Sequence, residues 1–151
     1  MASTLPINAY QRTVQNTITP AELLLRLYEG AIKAVLLLEG AIREKDVPAR
    51  GDAAHRATAI LGELASALEG QEEAVEWLRD LIVLYLFLIE EITVANITGE
   101  AERLLPVRKI LNDLLEGWRE AVRMMPRTSA ATQTVRSGTV SDTGKRLSLK
   151  G

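Results

Sequence analysis

Few residues of this 151-residue chain are of types that commonly do chemistry: it has a single histidine and no cysteine. His55 stands in the polar stretch Asp52-Ala53-Ala54-His55-Arg56. A di-iron helical bundle needs Glu-x-x-His pairs on two helices, which one histidine cannot supply. We therefore interpret His55 as a solvated surface residue and predict no metal site.

The paired glutamates Glu72-Glu73 and Glu90-Glu91 are the other candidates for catalysis. Adjacent residues on a helix do not face each other, so a solvated face is the better interpretation of both pairs. Serine-nucleophile, phosphate-loop and dinucleotide motifs are missing. The absence of cysteine excludes disulfides, thiolate metal sites and cysteine nucleophiles. The sequence predicts neither an enzyme nor a cofactor.

The composition is that of a single soluble domain, with 47% hydrophobic and 25% charged residues. A net charge of -2 gives no reason to expect a nucleic acid or a membrane surface as partner. The N-terminus lacks the pattern of a secretory signal. The longest apolar run, Leu81 to Ile89, is shorter than the ~20 residues that span a bilayer. We expect a cytosolic protein without membrane insertion.

Four helices are predicted from apolar residues at helical spacing. The first opens at Thr19-Pro20-Ala21-Glu22, a capping box with proline at the first helical position. The predicted ranges are from there to about Glu44, Ala49 to Leu68, Glu72 to Asn96, and from the turn at Asn96-Ile97-Thr98-Gly99 to Met124. Pro106 must either kink the fourth helix or mark its true start.

The two ends differ from this helical middle. Residues 1–18 carry scattered apolar groups, which predicts an N-terminal strap. From Arg127 onward the chain is rich in Ser, Thr and Gly, has a net charge of +4, and should be disordered. The predicted fold class is therefore all-α: an antiparallel four-helix bundle over 19–125, preceded by the strap and followed by a basic tail at 126–151.

Two helices carry more apolar residues than one core-facing stripe requires. On the first helix, a charged stripe leads to Leu36 and Leu37; its members are Glu22, Arg26, Glu29 and Lys33. On the third helix, the line of Glu76, Asp80 and Glu90 passes through Val83 and Phe87. Three interpretations stay open: a helix buried on most sides, a surface that binds another protein, or a homodimer interface.

Several short motifs occur in a characteristic order. They are Asn8-Ala9-Tyr10, Thr19-Pro20-Ala21-Glu22-Leu23, Leu27-Tyr28-Glu29-Gly30-Ala31, Asp46-Val47, Ala57 with Ile60 and Leu61, Leu81, Leu84-Tyr85, Ala95-Asn96 and Trp118. In this order and spacing, the stretch from Ile7 to Val122 resembles the bacterial flagellar secretion chaperones of the FliS family. Leu86, Phe87, Glu90 and Glu91 depart from the family's usual residues.

The resemblance implies a function. Members of this family bind the C-terminal segment of flagellin, prevent its premature polymerisation, and deliver it to the flagellar export gate. Helix-in-groove docking is the matching physical mode. The alternative is a structural or regulatory helical module that self-associates through the Leu36/Leu37 and Val83/Phe87 surfaces.

The resemblance also implies candidate site residues. Ile7 and Tyr10 would be strap anchors or client contacts, and Tyr28 and Gly30 would lie near the groove on the first helix. Gly30 could instead serve close packing inside the bundle. The candidate contacts on the third helix are Tyr85, Phe87 and Asn96, and Trp118 is expected in the core.

Overall fold

The computed structural model describes residues 18–71 and 75–126. Within these ranges the chain forms four α-helices, α1 (Pro20–Arg43), α2 (Val47–Leu68), α3 (Trp77–Thr98) and α4 (Leu104–Met124), with one 3-10 turn at Ala101–Arg103. Helix α1 packs on α2, and α2 packs on α3. The predicted all-α four-helix bundle is confirmed. Residues 1–17 of the strap and residues 127–151 of the basic tail lie outside the described residues.

Capping residues determine where the first two helices begin. Pro20 is the first residue of α1, as its place in the capping box predicted. Helix α2 begins at Val47, two residues before the predicted Ala49. The earlier start follows from Asp46, whose carboxylate accepts a hydrogen bond from the Ala49 backbone N–H at 3.2 Å. Pro48 fits the first turn, where its missing N–H costs no helical bond.

Helix α3 begins and ends later than predicted. It starts at Trp77 rather than Glu72, and Glu76 before it makes no side-chain capping bond. It ends at Thr98 rather than Asn96 because Gly99 adopts a left-handed conformation with φ 76°. The Gly99 backbone N–H donates to the Ala95 carbonyl at 2.8 Å, which closes the last turn.

Pro106 marks the start of the fourth helix, which is one of the two predicted alternatives. The 3-10 turn runs to Arg103, and α4 begins at Leu104. Pro106 therefore lies in the first turn, where backbone N–H groups have no intrahelical acceptor. No kink is needed to accommodate the ring.

The core is built mainly from leucine and alanine. Each helix contributes buried side chains, many of them at three- and four-residue steps, and most of them join one cluster. Its largest fully buried members are Tyr28, Tyr85, Leu38, Leu61, Leu88, Ile92, Leu104 and Leu111. Trp118, which was expected in the core, packs against the cluster while staying partly exposed.

One carboxylate is buried inside this apolar interior. Glu39 on α1 is 2% exposed, and Arg108 on α4 donates to it from Nε at 2.8 Å and from Nη2 at 3.3 Å. Arg43 lies 3.5 Å from the same carboxylate, one helical turn away. A buried charge needs such partners because its desolvation is costly. The pair ties α4 to α1.

By length and composition alone, α3 could cross a bilayer, and it is the one such helix in the described ranges. Its buried side chains, including Leu81, Tyr85 and Leu88, belong to the core of the bundle. Glu90 and Glu91 lie within the helix, where a bilayer would make their charges expensive. The apolar character of α3 is accounted for by a buried face together with the exposed residues described below.

The chain divides into a compact unit, Pro20–Trp118, and a second unit made of its two ends. Everything described above except the last residues of α4 belongs to the first unit. In the second unit, residues 18–19 and 119–126 are described. There Arg123 forms an ion pair with Glu120 on the same helical turn.

Candidate binding surface

A furrow runs between α1 and α2, where four of its nine lining residues are small. Its volume is about 360 Å³. The small residues are Gly40 and Ala41 on α1, with Ala49 and Ala53 on α2, and Leu36 and Leu37 line it as well. Glu44, Asp52 and Arg56 complete its lining. An apolar floor with charged groups beside it suits an amphipathic helix or an extended apolar segment.

Leu36 and Leu37 are surface residues. Their side chains are 48% and 50% exposed, although their neighbours Val35 and Leu38 are fully buried. This rules out one of the three interpretations left open by the sequence, burial of the helix on most sides: the apolar excess of the first helix is exposed rather than used by the core. The α1–α2 furrow is defined here by Leu36, Leu37, Gly40, Ala41, Ala49 and Ala53.

A second apolar surface lies on the outer face of α3. Val83 is 60% exposed and Phe87 is 47% exposed, so here too the excess apolar residues face outward. Leu86 is also exposed, which the sequence interpretation missed. Its signal was present, since it is three residues from Val83 and therefore on the same side of a helix. We call Val83, Leu86 and Phe87 the α3 patch.

Tyr28 and Tyr85 lie behind these surfaces, in the core. Both are buried, and their hydroxyl groups share a hydrogen bond between α1 and α3. The Trp118 indole Nε1–H donates to the Tyr28 hydroxyl at 3.0 Å. Burial raises the pKa of both phenols, and for Tyr85 the bond to Tyr28 raises the pKa further. The two tyrosines therefore hold α1 against α3 and present no exposed group to a partner.

Gly30 lies where α1 approaches α2. A Cβ atom placed on it would come within 3.3 Å of the Ile60 Cδ1 atom. That distance is tight, and the neighbour belongs to the bundle itself. Of the two roles considered for Gly30, the contact favours close packing between helices.

Asn96 lies near the C-terminal end of α3. Its backbone carbonyl accepts a hydrogen bond from the Arg50 guanidinium of α2, and its side chain is half-buried. A cation at this end of a helix complements the helix dipole. Ile7 and Tyr10, the two candidates in the strap, lie outside the described residues and stay predictions.

The potential metal ligands of the described residues do not cluster. His55 is exposed on α2, as expected for a solvated residue. Residues 18–71 and 75–126 contain no group of three or more His, Asp or Glu side chains that could hold a metal ion. The exposed apolar surfaces are thus the features of this region that suit a binding function.

Comparison with known proteins identifies the family. The family model described as "Flagellar protein FliS" matches residues 3–125, which include all four helices. The chain belongs to the FliS family.

Relatives in this family carry the name flagellar secretion chaperone FliS. The protein from Campylobacter jejuni is 32% identical over 120 residues, covering 80% of this chain and 93% of the relative. The protein from Bacillus subtilis is 29% identical over 123 residues, covering 82% and 90%. The protein from Salmonella typhimurium is 28% identical over 118 residues, covering 76% and 87%.

In this FliS-family chain, the residues that carried the resemblance are mostly structural. Tyr28, Tyr85 and Ala95 are buried, Gly30 is at a helix contact, and Asn96 is near a helix end. Four of the five exposed Leu, Val and Phe side chains of the two apolar surfaces, all but Leu86, were instead found from their departure from a simple amphipathic pattern. The likeness to the family and the exposed apolar surfaces are therefore two separate lines of support for a binding function.

Proposed function

We propose that this protein is a cytosolic chaperone for flagellin export. In this proposal it binds the C-terminal segment of flagellin, prevents its premature polymerisation, and delivers it to the flagellar export gate. The family membership supports the chaperone class, since the relatives bear that name. The main observation that supports the location of the proposed binding site is the exposure of Leu36 and Leu37 beside an open furrow.

The α1–α2 furrow and the α3 patch together would cover the apolar face of the client. A segment that polymerises through apolar contacts must have that face removed from water while it waits for export. Ordering a flexible client on binding costs on the order of 2–5 kcal/mol, which keeps the complex releasable. Leu36 and Leu37 serve as anchors in the furrow, and Val83 and Phe87 serve as anchors on α3.

The first prediction concerns binding of the client. Calorimetric titration with a C-terminal flagellin fragment is expected to give one client per chain. The double variant Leu36→Glu/Leu37→Glu should weaken binding at least about tenfold, because it places two carboxylates against the buried apolar face of the client.

The matched control is Leu105→Glu on α4. Leu105 is 49% exposed, close to the exposure of Leu36 and Leu37, and lies outside both apolar surfaces. Its substitution should leave the affinity unchanged. If the wild-type chain shows no binding at tens of micromolar, the proposed client is wrong. If both variants bind alike, the furrow is not the site.

A further inference from the structure

The α1–α2 furrow is lined by three charged residues as well as by its small and apolar ones. Glu44 lines it from the turn that directly follows α1, and Asp52 and Arg56 line it from α2. Asp52 lies in the second turn of α2, and Arg56 lies four residues further along, a rise of about 6 Å. The lining is therefore acidic towards the turn between the two helices and basic further from it.

These three charges are available to an occupant of the furrow. Within residues 18–71 and 75–126, the side chains of Glu44, Asp52 and Arg56 form no ion pair. Asp52 and Arg56 have the four-residue spacing at which helices commonly form such pairs, yet they do not pair with each other. All three residues are exposed, so an occupant can reach them.

The position of Glu44 is unfavourable for the helix that it follows. The last carbonyl groups of α1 form the negative end of the helix dipole, where a carboxylate is destabilising. The turn nevertheless fixes Glu44 there. The Asp46 backbone N–H donates to the Ala41 carbonyl at 2.9 Å, and Lys45 is left-handed with φ 59°, which together form a Schellman motif. A carboxylate that weakens its own helix and lines an open furrow is better explained by binding than by stability.

We propose that the α1–α2 furrow selects its client by charge. It takes a helical segment that has a lysine or arginine beside its apolar face and an acidic residue one turn away. The base pairs with Glu44 and Asp52, and the acid pairs with Arg56. A segment with acidic flanks alone is rejected, because it places like charges together. The proposal rests on the proposed function, since it describes the segment that the same furrow holds.

The second prediction uses two synthetic amphipathic peptides that share one leucine face and differ in one residue. The first has a lysine and a glutamate four residues apart beside that face, and the second has glutamate at both positions. In calorimetric titration at low ionic strength, the full-length protein should bind the first peptide about tenfold more tightly, because the change turns attraction into repulsion. Salt at about 0.5 M should remove most of this difference, since it screens exposed charges.

Variants of the protein locate this preference. Glu44→Gln/Asp52→Asn should lose the preference for the first peptide, and Glu44→Lys/Asp52→Lys should prefer the second. The matched control Glu63→Gln/Asp113→Asn removes the same two charges at exposed positions outside the furrow and should keep the preference. Glu44→Gln alone should raise the midpoint of thermal unfolding, because it removes a carboxylate from the negative end of α1. A lowered midpoint would instead assign Glu44 a structural role and overturn its part in the proposal.

The outcomes separate this proposal from the proposed function. Equal affinity of the wild-type chain for the two peptides, or no binding of either, overturns selection by charge, whether or not the chain binds flagellin. For the C-terminal flagellin fragment, Glu44→Gln/Asp52→Asn should weaken binding at least about threefold. A fragment that binds this variant and the wild-type chain equally overturns the proposal and leaves the proposed function standing. Peptide discrimination without flagellin binding refutes the proposed client and retains selection by charge.

Discussion

The hydrogen bond between the two buried tyrosines joins the helices that carry the candidate binding surfaces. Tyr28 on α1 and Tyr85 on α3 share a hydrogen bond, and their ring centroids are 6.3 Å apart. The Trp118 indole satisfies the Tyr28 hydroxyl from α4. Three helices therefore meet at one polar point within an apolar core, where an unsatisfied hydroxyl would be destabilising.

The third prediction follows from the raised pKa of these phenols. Between the unperturbed pKa of 10 and the raised value in the folded state, the unfolded chain releases a proton that the folded chain retains. The stability gained from the neutral phenols is therefore complete below pH 10 and is lost as the pH rises above it. The slope approaches about 1.4 kcal/mol per pH unit for each tyrosine.

Urea unfolding between pH 8 and pH 11 measures this loss. The variant Tyr28→Phe/Tyr85→Phe should show a shallower fall in the free energy of unfolding above pH 10 than the wild-type chain. Lysine deprotonation affects both proteins equally, so the difference between the slopes isolates the tyrosines. Equal slopes would mean that the two phenols do not stay neutral in the folded protein.

At the scale of elements, the Glu39–Arg108 pair joins the first helix to the last. The two residues are distant in sequence, and the carboxylate is almost fully buried. Removal of one member of a buried ion pair is strongly destabilising, because the remaining charge keeps its desolvation cost. Replacement of both members by apolar residues is far less destabilising. The pair therefore specifies how α4 docks on α1.

The fourth prediction compares two adjacent positions on α4. Arg108→Met should lower the free energy of unfolding by about 2–3 kcal/mol, because Glu39 stays buried with only Arg43 nearby. Lys109→Met is the matched control: Lys109 forms an exposed pair with Asp113, and its loss should cost less than about 1 kcal/mol.

The double variant Glu39→Leu/Arg108→Leu should recover most of the stability that Arg108→Met loses. Urea unfolding at pH 7 provides all four measurements. Similar losses for Arg108→Met and Lys109→Met would contradict the structural role given to the buried pair.

At the scale of the whole molecule, the proposed client covers two apolar surfaces, the α1–α2 furrow and the α3 patch. Both surfaces belong to the compact unit Pro20–Trp118. A client that contacts both surfaces should bind more tightly than a client that contacts one, because the second contact forms within a complex that already exists.

The fifth prediction tests whether both surfaces contact the client. The variant Val83→Glu/Phe87→Glu should weaken binding of the C-terminal flagellin fragment in calorimetric titration, because it places two carboxylates against the apolar face of the client. Combining it with Leu36→Glu/Leu37→Glu should weaken binding further. If Val83→Glu/Phe87→Glu binds like the wild-type chain, the client is confined to the furrow.

Local sequence was sufficient for the helices and for the apolar excess. Periodicity, the Thr19-Pro20 start signal and Gly99 all act over one or two helical turns, which is why the four elements were predicted correctly. Local pattern also identified Leu36, Leu37, Val83 and Phe87 as apolar residues on otherwise charged stripes, but it left open whether the core buries them. Only the packing of the helices showed that all four are exposed.

The tertiary structure decided which contacts lie behind those surfaces. The pairing of Tyr28 with Tyr85, the burial of Glu39 by Arg108, and the approach of Ile60 to Gly30 all join different helices. A helical period specifies the face on which a side chain lies but not which neighbour that face meets. The furrow beside Leu37 is lined by small residues of both α1 and α2. It exists only once the two helices have packed together, so the sequence of either helix alone could not predict it.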